Sequence, residues 1–201
     1  GDVLEVGAGI GSNTVFLDSA ENGRWVCLEP DGTLISQLIA NLASRPMRSR
    51  HEAICGTLQS LDDSWMFDTI IYIDALEHIE RDREELATAA ARLRGGGRVI
   101  VLSPAHPKLF TRFDAAIGHF RRYDRPMLRR ITPDTLRIET LTYLDCAGLV
   151  VSAANLFLQR SMPTKAQLRF WDGCLIPISR VLDKCFLNTV GKSIIAVWRK
   201  A

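Results

Sequence analysis

A glycine-rich loop near the start of the chain has the residue types and spacing of a ligand-binding turn. Gly7, Gly9 and Gly11 follow directly on the apolar run at residues 3–6, and Glu5 lies two positions before the first glycine. Glycine lets the backbone adopt positive φ angles and lets a flat ligand approach closer than any Cβ would allow. The loop is therefore predicted to bind an adenosine-containing cofactor.

The spacing of the glycines discriminates between two such cofactors. A dinucleotide loop has its third glycine three residues after the second, where a helix N-terminus meets the pyrophosphate. Ser12 occupies that position here. The carboxylate of Glu5 would also repel a pyrophosphate, whereas it could help hold the ammonium group of a methionine moiety. The loop favours S-adenosylmethionine, with glycines that serve only a tight turn as the alternative.

An acid after the next apolar run strengthens this interpretation. Residues 24–28 are predicted to form a strand, and Glu29 follows it, 18 residues after Gly11. An acid about 20 residues beyond such a loop hydrogen-bonds the ribose hydroxyls of an adenosine. Asp31 is better placed to cap the following amphipathic helix, so Glu29 is predicted to bind the ribose.

The chain has four histidines, and these are the candidates for a general base. The ordinary pKa of imidazole, about 6.5, lies near working pH, and a hydroxyl acceptor of a methyl group needs a base. His51 begins a weak strand and is predicted to be structural. For His78, after the fourth predicted strand, a base role and packing beside the cofactor are equally favoured. His119 is predicted to act as a base or to contact the substrate, and bracing of its loop is the alternative.

An irregular segment at residues 104–124 is the candidate acceptor site. It contains prolines, histidines and aromatic residues without periodicity, and long loops of this kind are more often functional than idle. His106, Arg121, Arg122 and Tyr123 are predicted to contact the acceptor. Guanidinium groups bind phosphate and carboxylate through paired hydrogen bonds, so Arg121 and Arg122 suit an anionic acceptor. A solvated helix face is the more common explanation of such a charge run.

Strand and helix signals alternate along the chain, which indicates an α/β fold with a parallel sheet. Asp82 is predicted to cap a helix that continues until the glycine run at residues 95–97 stops it. Residues 168–185 have helical spacing despite Pro177. Strands are predicted at residues 3–6, 24–28, 51–54, 67–73, 98–102, 136–143 and 193–198.

Length and composition fit one domain with a sizeable core, because the chain has 201 residues, of which 47% are hydrophobic. A net charge of +2 gives no case for a nucleic-acid partner. The five cysteines are odd in number and include no C-x-x-C pair. They are typical of reduced core residues of a cytoplasmic protein and predict neither disulfides nor a metal site.

No apolar run approaches the roughly 18 residues that span a bilayer. The longest, at residues 146–158, is predicted to be buried core, with contact to a lipid or to the inner face of the membrane as the alternative. Gly1 already borders the first strand, so we expect that a preceding helix is missing.

The segment Tyr72-Ile73-Asp74-Ala75-Leu76-Glu77-His78-Ile79, together with the glycine loop, resembles the class I S-adenosylmethionine-dependent methyltransferases. The resemblance covers essentially the whole chain. It implies a Rossmann-like α/β fold, with a seven-stranded, mostly parallel sheet, an antiparallel last strand and helices on both faces. It also implies a single domain over residues 1–201, with acceptor-side insertions at residues 104–135 and 145–190.

A narrower resemblance rests on Pro104-Ala105-His106-Pro107 and on Gly118-His119-Phe120-Arg121-Arg122-Tyr123. These segments are similar to bacterial methyltransferases found alone or fused to glycosyltransferases. Association with a glycosyltransferase is therefore an expectation for this chain.

The resemblance also implies a set of cofactor contacts. The glycine loop would contact the methionine half, Glu29 the ribose and Pro30 the adenine. Thr57 and Leu58 match the position where the adenine edge is read, but an acid is common there, so Thr57 departs from the pattern. The expected cofactor residues are Glu5, Gly7, Ala8, Gly9, Gly11, Asn13, Glu29, Pro30, Thr57, Leu58 and Asp74.

The sequence thus predicts an S-adenosylmethionine-dependent methyltransferase that methylates an oxygen of a small or saccharide-like acceptor, including a lipid-linked one. Two alternatives stay open. One is a catalytically silent methyltransferase-like binding module, and the second, less favoured, is an NAD(P)-dependent oxidoreductase.

Overall fold

A seven-stranded sheet organises the chain in the computed structural model, which describes residues 1–149, 173, 176–185 and 187–201. The strand order is β3-β2-β1-β4-β5-β7-β6. Strands β1 to β5 pair in parallel, whereas β7 runs antiparallel to both β5 and β6. This confirms the predicted sheet. The strands are β1 (Val3–Val6), β2 (Arg24–Glu29), β3 (Arg50–Cys55), β4 (Phe67–Ile73), β5 (Leu93–Pro104), β6 (Leu136–Leu144) and β7 (Ser193–Lys200).

Helices cover both faces of the sheet, because each inner strand buries alternate residues on opposite sides. Leu4 and Val6 lie in the larger core cluster, whereas Val3 packs with Ile35 and Leu38 of the second helix in the smaller cluster. The described helices are α1 (Ser12–Leu17), α2 (Gly32–Ala43), α3 (Asp82–Ala91), α4 (Arg112–Ala116), α5 (Arg125–Ile131) and α6 (Ile176–Cys185), and short 3-10 helices lie at Leu58–Ser60, Leu76–His78 and Pro107–Leu109.

The region around α3 corrects two predictions. Asp82 is the first residue of α3 rather than its cap, since its buried carboxylate accepts a hydrogen bond from the Tyr123 hydroxyl at 2.9 Å. The glycine run at residues 95–97 does not end the helix. It lies inside β5, where a Cβ on Gly97 would come within 2.9 Å of the Asp68 carbonyl oxygen.

The C-terminal helix prediction holds for the part that the structure describes. Helix α6 spans Ile176–Cys185 and tolerates Pro177 because that residue lies in its first turn. The rest of the predicted helix, most of the apolar run at residues 146–158 and most of the predicted insertion at residues 145–190 lie outside the described residues. Among the described helices, none has the length and apolar character needed to span a membrane.

Candidate active site

The glycine loop between β1 and α1 has the backbone that its sequence predicts. Gly7, Gly9 and Gly11 have φ angles of +71°, +56° and +80°. A Cβ on Gly7 would lie 2.7 Å from the Cβ of Ala75, so glycine allows close packing against the segment after β4. A Cβ on Gly9 would meet no described atom within 4 Å. Gly9 thus leaves space for a ligand at the carboxyl edge of the sheet, where ligands of open α/β sheets bind.

Glu29 links the end of β2 to the glycine loop. Its Oε2 accepts a hydrogen bond from the Gly9 backbone N–H at 2.8 Å, and its Oε1 accepts one from the Asp31 N–H at 3.0 Å. Asp31 caps α2 by accepting from the backbone N–H groups of Thr33 and Leu34, which confirms its predicted capping role. The carboxylate of Glu29 is therefore held beside the space at Gly9, and its contact with ribose stays a prediction.

Glu5 lies beneath the loop rather than beside it. Its buried Oε2 accepts hydrogen bonds from Thr14 Oγ1 at 2.6 Å and from Trp25 Nε1 at 3.1 Å, so it ties α1 to β2. Burial raises the pKa of Glu5, and these two hydrogen bonds oppose that rise. A contact with a methionine ammonium group would have to use Oε1.

The remaining predicted cofactor residues surround the same edge. Ala8 is buried in the loop, Asn13 is exposed on α1 and Pro30 is exposed after β2. Thr57 caps the 3-10 helix at Leu58–Ser60, and the side chain of Leu58 is fully buried, which leaves only its backbone for an adenine. These contacts stay predictions.

A cavity of about 420 Å³ opens at the carboxyl ends of β4 and β5, at the edge of the sheet that also carries the glycine loop. It brings together both predicted catalytic histidines, which lie 41 positions apart in the sequence. Phe113 and Ile117 supply apolar surface. The lining residues are Asp74, Glu77, His78, Pro104, Phe113, Asp114, Ile117, His119, Arg122, Lys192 and Ser193.

His119 is held in the cavity by a carboxylate. Its Nδ1 lies 3.3 Å from Asp114 Oδ1, and Arg122 donates two hydrogen bonds to Asp114, at 2.9 and 3.0 Å. An Nδ1–H bonded to Asp114 leaves Nε2 as the free nitrogen. Desolvation and the neighbouring His78 lower the pKa of His119, against the influence of Asp114. The ring centroids of His78 and His119 are 4.5 Å apart, in an edge-to-face arrangement.

Sequence reasoning missed Glu77 as a site residue, although it immediately precedes His78 in the segment that carries the resemblance. Its side chain is fully buried, and Oε2 accepts a hydrogen bond from Ser103 Oγ at 2.9 Å. Oε1 has no hydrogen-bond partner among the described residues and lies 3.9 Å from His119 Nε2. Burial raises the pKa of Glu77 to about 7.

Asp74 lines the cavity and directly precedes Ala75, which packs against Gly7 of the glycine loop. It follows β4 with a φ of +50°, and its backbone N–H donates to the Leu102 carbonyl at 2.8 Å. Desolvation raises the pKa of Asp74, against the attraction of Lys192 and His78. A strained backbone angle at a non-glycine residue is common at functional positions.

The predicted acceptor contacts are distributed differently, since only Arg122 lines the cavity. His106 Nε2 lies 2.9 Å from the Gly191 carbonyl oxygen, and its ring stacks on Tyr143. Arg121 forms an ion pair with Asp82 at 2.6 Å. Tyr123 is fully buried and donates to that same carboxylate, which places its hydroxyl in the core rather than at the cavity. An anion would have to compete with these carboxylates for either arginine.

Part of the chain is similar to a known protein family. Residues 4–99 match the family model of a methyltransferase domain. A search of curated proteins gives no significant match.

Solved structures share the fold at low identity. A protein described as a methyltransferase from Bacillus halodurans is 16% identical, with 99% of this chain and 92% of the matched chain covered and a TM-score of 0.64. An S-adenosylmethionine-dependent methyltransferase from Clostridium acetobutylicum is 12% identical, with 100% and 84% covered and a TM-score of 0.63. The N-methyltransferase NodS from Bradyrhizobium japonicum, in complex with S-adenosylhomocysteine, is 12% identical, with 99% and 77% covered and a TM-score of 0.60.

The solved structures show a fold shared with methyltransferases, and the match to the methyltransferase domain covers slightly less than half of the chain. They agree with S-adenosylmethionine as the cofactor predicted from the glycine loop.

Proposed function

We propose that the chain is an S-adenosylmethionine-dependent methyltransferase that methylates a hydroxyl group of a small or saccharide-like acceptor. The observation that carries this proposal is that the histidine-lined cavity and the glycine loop lie at the same edge of the sheet, after neighbouring parallel strands. Gly7 packs against Ala75, and Ala75 is the neighbour of Asp74 in the cavity wall. Cofactor and acceptor would therefore meet at one edge of the sheet.

The residues at the glycine loop and the residues that line the cavity would have different roles. Bound S-adenosylmethionine supplies a methyl group whose bond to sulfur breaks, with the electron pair going to sulfur, as the bond to the acceptor oxygen forms. Gly9 and Glu29 would hold the cofactor. His119 and His78 face the acceptor space and would promote removal of the hydroxyl proton. Phe113 and Ile117 would exclude water from the reacting groups.

An apolar rim supports a lipid-linked saccharide as the acceptor. Phe110, Phe113, Ile117 and Phe120 are all exposed large apolar residues of the segment at residues 104–135, and two of them line the cavity. A lipid chain could lie across this rim while the sugar enters the cavity. Such an acceptor also motivates the proposed contact with a membrane surface and the proposed association with a glycosyltransferase.

An amine acceptor is the second candidate. Asp74 and Glu77 place two carboxylate groups in the cavity, and an amine is a natural partner for them. NodS, which has a similar fold, is an N-methyltransferase.

Transfer of a labelled methyl group from S-adenosylmethionine to a bacterial lipid extract tests the proposal. We expect a labelled glycolipid whose methyl group is assigned to oxygen by mass spectrometry and NMR, and assignment to nitrogen would favour the second candidate. His119→Ala should lower turnover at least about 100-fold, in line with general acid–base contributions. His51→Ala, remote from the cavity, is the matched control.

Calorimetry with S-adenosylmethionine and with NAD(P) distinguishes a methyltransferase from an oxidoreductase and from a silent binding module. Binding of NAD(P) alone would favour the oxidoreductase. Binding of S-adenosylmethionine without transfer to any extract would favour the silent module. Full turnover of His119→Ala with unchanged cofactor affinity would contradict the role of His119.

A further inference from the structure

Three side chains with metal-ligating atoms converge in the cavity. The ligand atoms of Glu77, His78 and His119 all lie within 4.8 Å of one another. The sequence analysis predicts no metal site. This cluster is not evident in the sequence, since Glu77 and His78 are adjacent whereas His119 comes from a separate segment. The fold creates the cluster by placing the loop after β4 against the segment that follows α4.

The buried oxygen of Glu77 points to a missing positive partner. Glu77 is fully buried, and its Oε1 has no hydrogen-bond partner among the described residues. Leaving a buried carboxylate oxygen unpaired is costly, and buried charges are ordinarily paired or coordinate metals. The side chains beside this oxygen are the imidazoles of His119 and His78, which bind metals in their neutral form.

The surroundings of the cluster match the outer shell of a metal site. A metal-bound histidine usually donates its second ring N–H to a carboxylate, and a metal-bound carboxylate is usually hydrogen-bonded in turn. His119 has Asp114 at its Nδ1, at 3.3 Å, and Glu77 accepts from Ser103 at 2.9 Å. Both arrangements fix the ligand atoms that face the cluster.

The distances allow coordination with a small adjustment. Zinc lies about 2.0–2.2 Å from nitrogen and oxygen ligands, so two ligand atoms of a tetrahedral zinc ion are about 3.3–3.6 Å apart. His119 Nε2 and Glu77 Oε1 are 3.9 Å apart. The side chain of His78 is exposed at the cavity and has no hydrogen bond among the described residues, so it can turn toward the Glu77 and His119 ligand atoms.

We propose that Glu77, His78 and His119 bind a divalent transition-metal ion of the Zn²⁺ type, with one position open to the acceptor oxygen. Two histidines and one glutamate with an open position are a known catalytic zinc set. With their ring nitrogens bound to the ion, His78 and His119 would act through it rather than as free bases. The ion would hold the acceptor oxygen, and its charge would favour loss of the hydroxyl proton to solvent at the mouth of the cavity. This role rests on the proposed function, whereas the metal site itself does not.

Zinc binding to the whole chain tests the site. After chelator treatment and desalting, we expect calorimetry with ZnCl2 and elemental analysis to give about one tight site per chain. Glu77→Gln and His119→Ala should each weaken zinc binding at least about tenfold, and Asp114→Asn should weaken it about 10- to 100-fold through the loss of its hold on His119. His51→Ala should bind zinc as the unchanged chain does.

Two further measurements distinguish this site from thiolate binding and from loss of folding. Cys55 and Cys185 are exposed, so the Co²⁺-loaded protein is examined for thiolate charge-transfer absorption, which a site of nitrogen and oxygen ligands lacks. Each variant must keep its S-adenosylmethionine affinity and its melting temperature, which shows that it folds. Glu77→Gln preserves the shape of the side chain and serves as the variant least disturbing to the core.

The outcomes separate the site from the function. No zinc site, a thiolate-bound site, or equal affinity in Glu77→Gln and His119→Ala would overturn the proposal. Equal methyl transfer by chelated and zinc-loaded protein would overturn the role of the ion in holding the acceptor. Zinc bound at these residues in a chain that transfers no methyl group would support the site and count against the proposed function.

Discussion

At the scale of single residues, Gly9 offers the most direct test of the cofactor loop. Gly9→Ala is expected to cost about 1 kcal/mol of folding stability, because its φ of +56° disfavours any side chain. We expect it to weaken S-adenosylmethionine binding at least about tenfold, since the added methyl group would fill ligand space. Calorimetry measures this loss.

A matched glycine provides the control for that substitution. Gly32→Ala also places its Cβ where no described atom lies within 4 Å, but at a residue without a positive φ. Its cofactor affinity should match that of the unchanged chain. If Gly9→Ala bound equally well, the loop would not be the cofactor site.

Single residues also show where sequence reasoning reaches its limit. Glu29 and Asp31 are distinguishable because capping has a strict local spacing. Glu77 cannot be recognised as a site residue from the sequence. Its role depends on burial against Ser103, 26 positions away, and on the approach of His119. Burial of a polar group depends on tertiary packing, and spacing along the chain does not encode it.

At the scale of elements, strands are easier to predict than the joints between elements. The fourth predicted strand has the bounds of β4, since its apolar run is long and continuous. The predicted start of α3 is wrong, because the residue type and spacing at Asp82 fit a helix cap and equally fit a buried acid in the first turn of the helix. Its partner, Tyr123, comes from a distant segment.

Asp18 provides a test of such a joint between α1 and β3. It accepts hydrogen bonds from the Arg48 N–H and from the Ser49 N–H and hydroxyl, the last two at 3.1 and 2.6 Å. Burial acts to raise the pKa of Asp18, but these hydrogen bonds outweigh it and hold the pKa below its ordinary value. The resulting stabilisation is present above the unfolded-state pKa, about 3.9, and is lost as pH falls through the folded-state pKa.

Asp18→Asn should therefore lower the free energy of unfolding by about 1 to 2 kcal/mol at pH 7. The difference from the unchanged chain should shrink as the pH falls, and urea denaturation at several pH values measures it. Asp134→Asn, at an exposed acid without a hydrogen bond among the described residues, should change stability by less than about 0.5 kcal/mol. A pH-independent difference for Asp18→Asn would contradict the assigned role of the carboxylate.

At the scale of the whole molecule, the strand order explains why the sequence predicts the site only in part. Order β3-β2-β1-β4-β5-β7-β6 brings the ends of β1 and β4 together, so the glycine loop and the segment at residues 74–78 become neighbours. The resemblance implies this topology and therefore also the residues expected to bind the cofactor. The position of the residues expected to contact the acceptor depends on how residues 104–135 fold over that edge. No periodic pattern in the sequence predicts this fold.

Thermal unfolding of the full chain with ligands tests the assignment of the cofactor. A ligand that binds only the folded state at 100 times its Kd adds about 2.7 kcal/mol of stability. For a domain of this size, about 2–4 °C accompany each kcal/mol, so S-adenosylhomocysteine at that excess should raise Tm by about 5–11 °C.

NAD at the same concentration should leave Tm unchanged, because Ser12 stands where a dinucleotide loop has its third glycine and Glu5 adds a carboxylate below it. Gly9→Ala at the same ligand concentration should show a smaller rise, since a tenfold weaker affinity removes about 1.4 kcal/mol of the linkage. Equal rises with both ligands would show that the spacing of this loop does not select the cofactor, and the site would have to be assigned from the cavity alone.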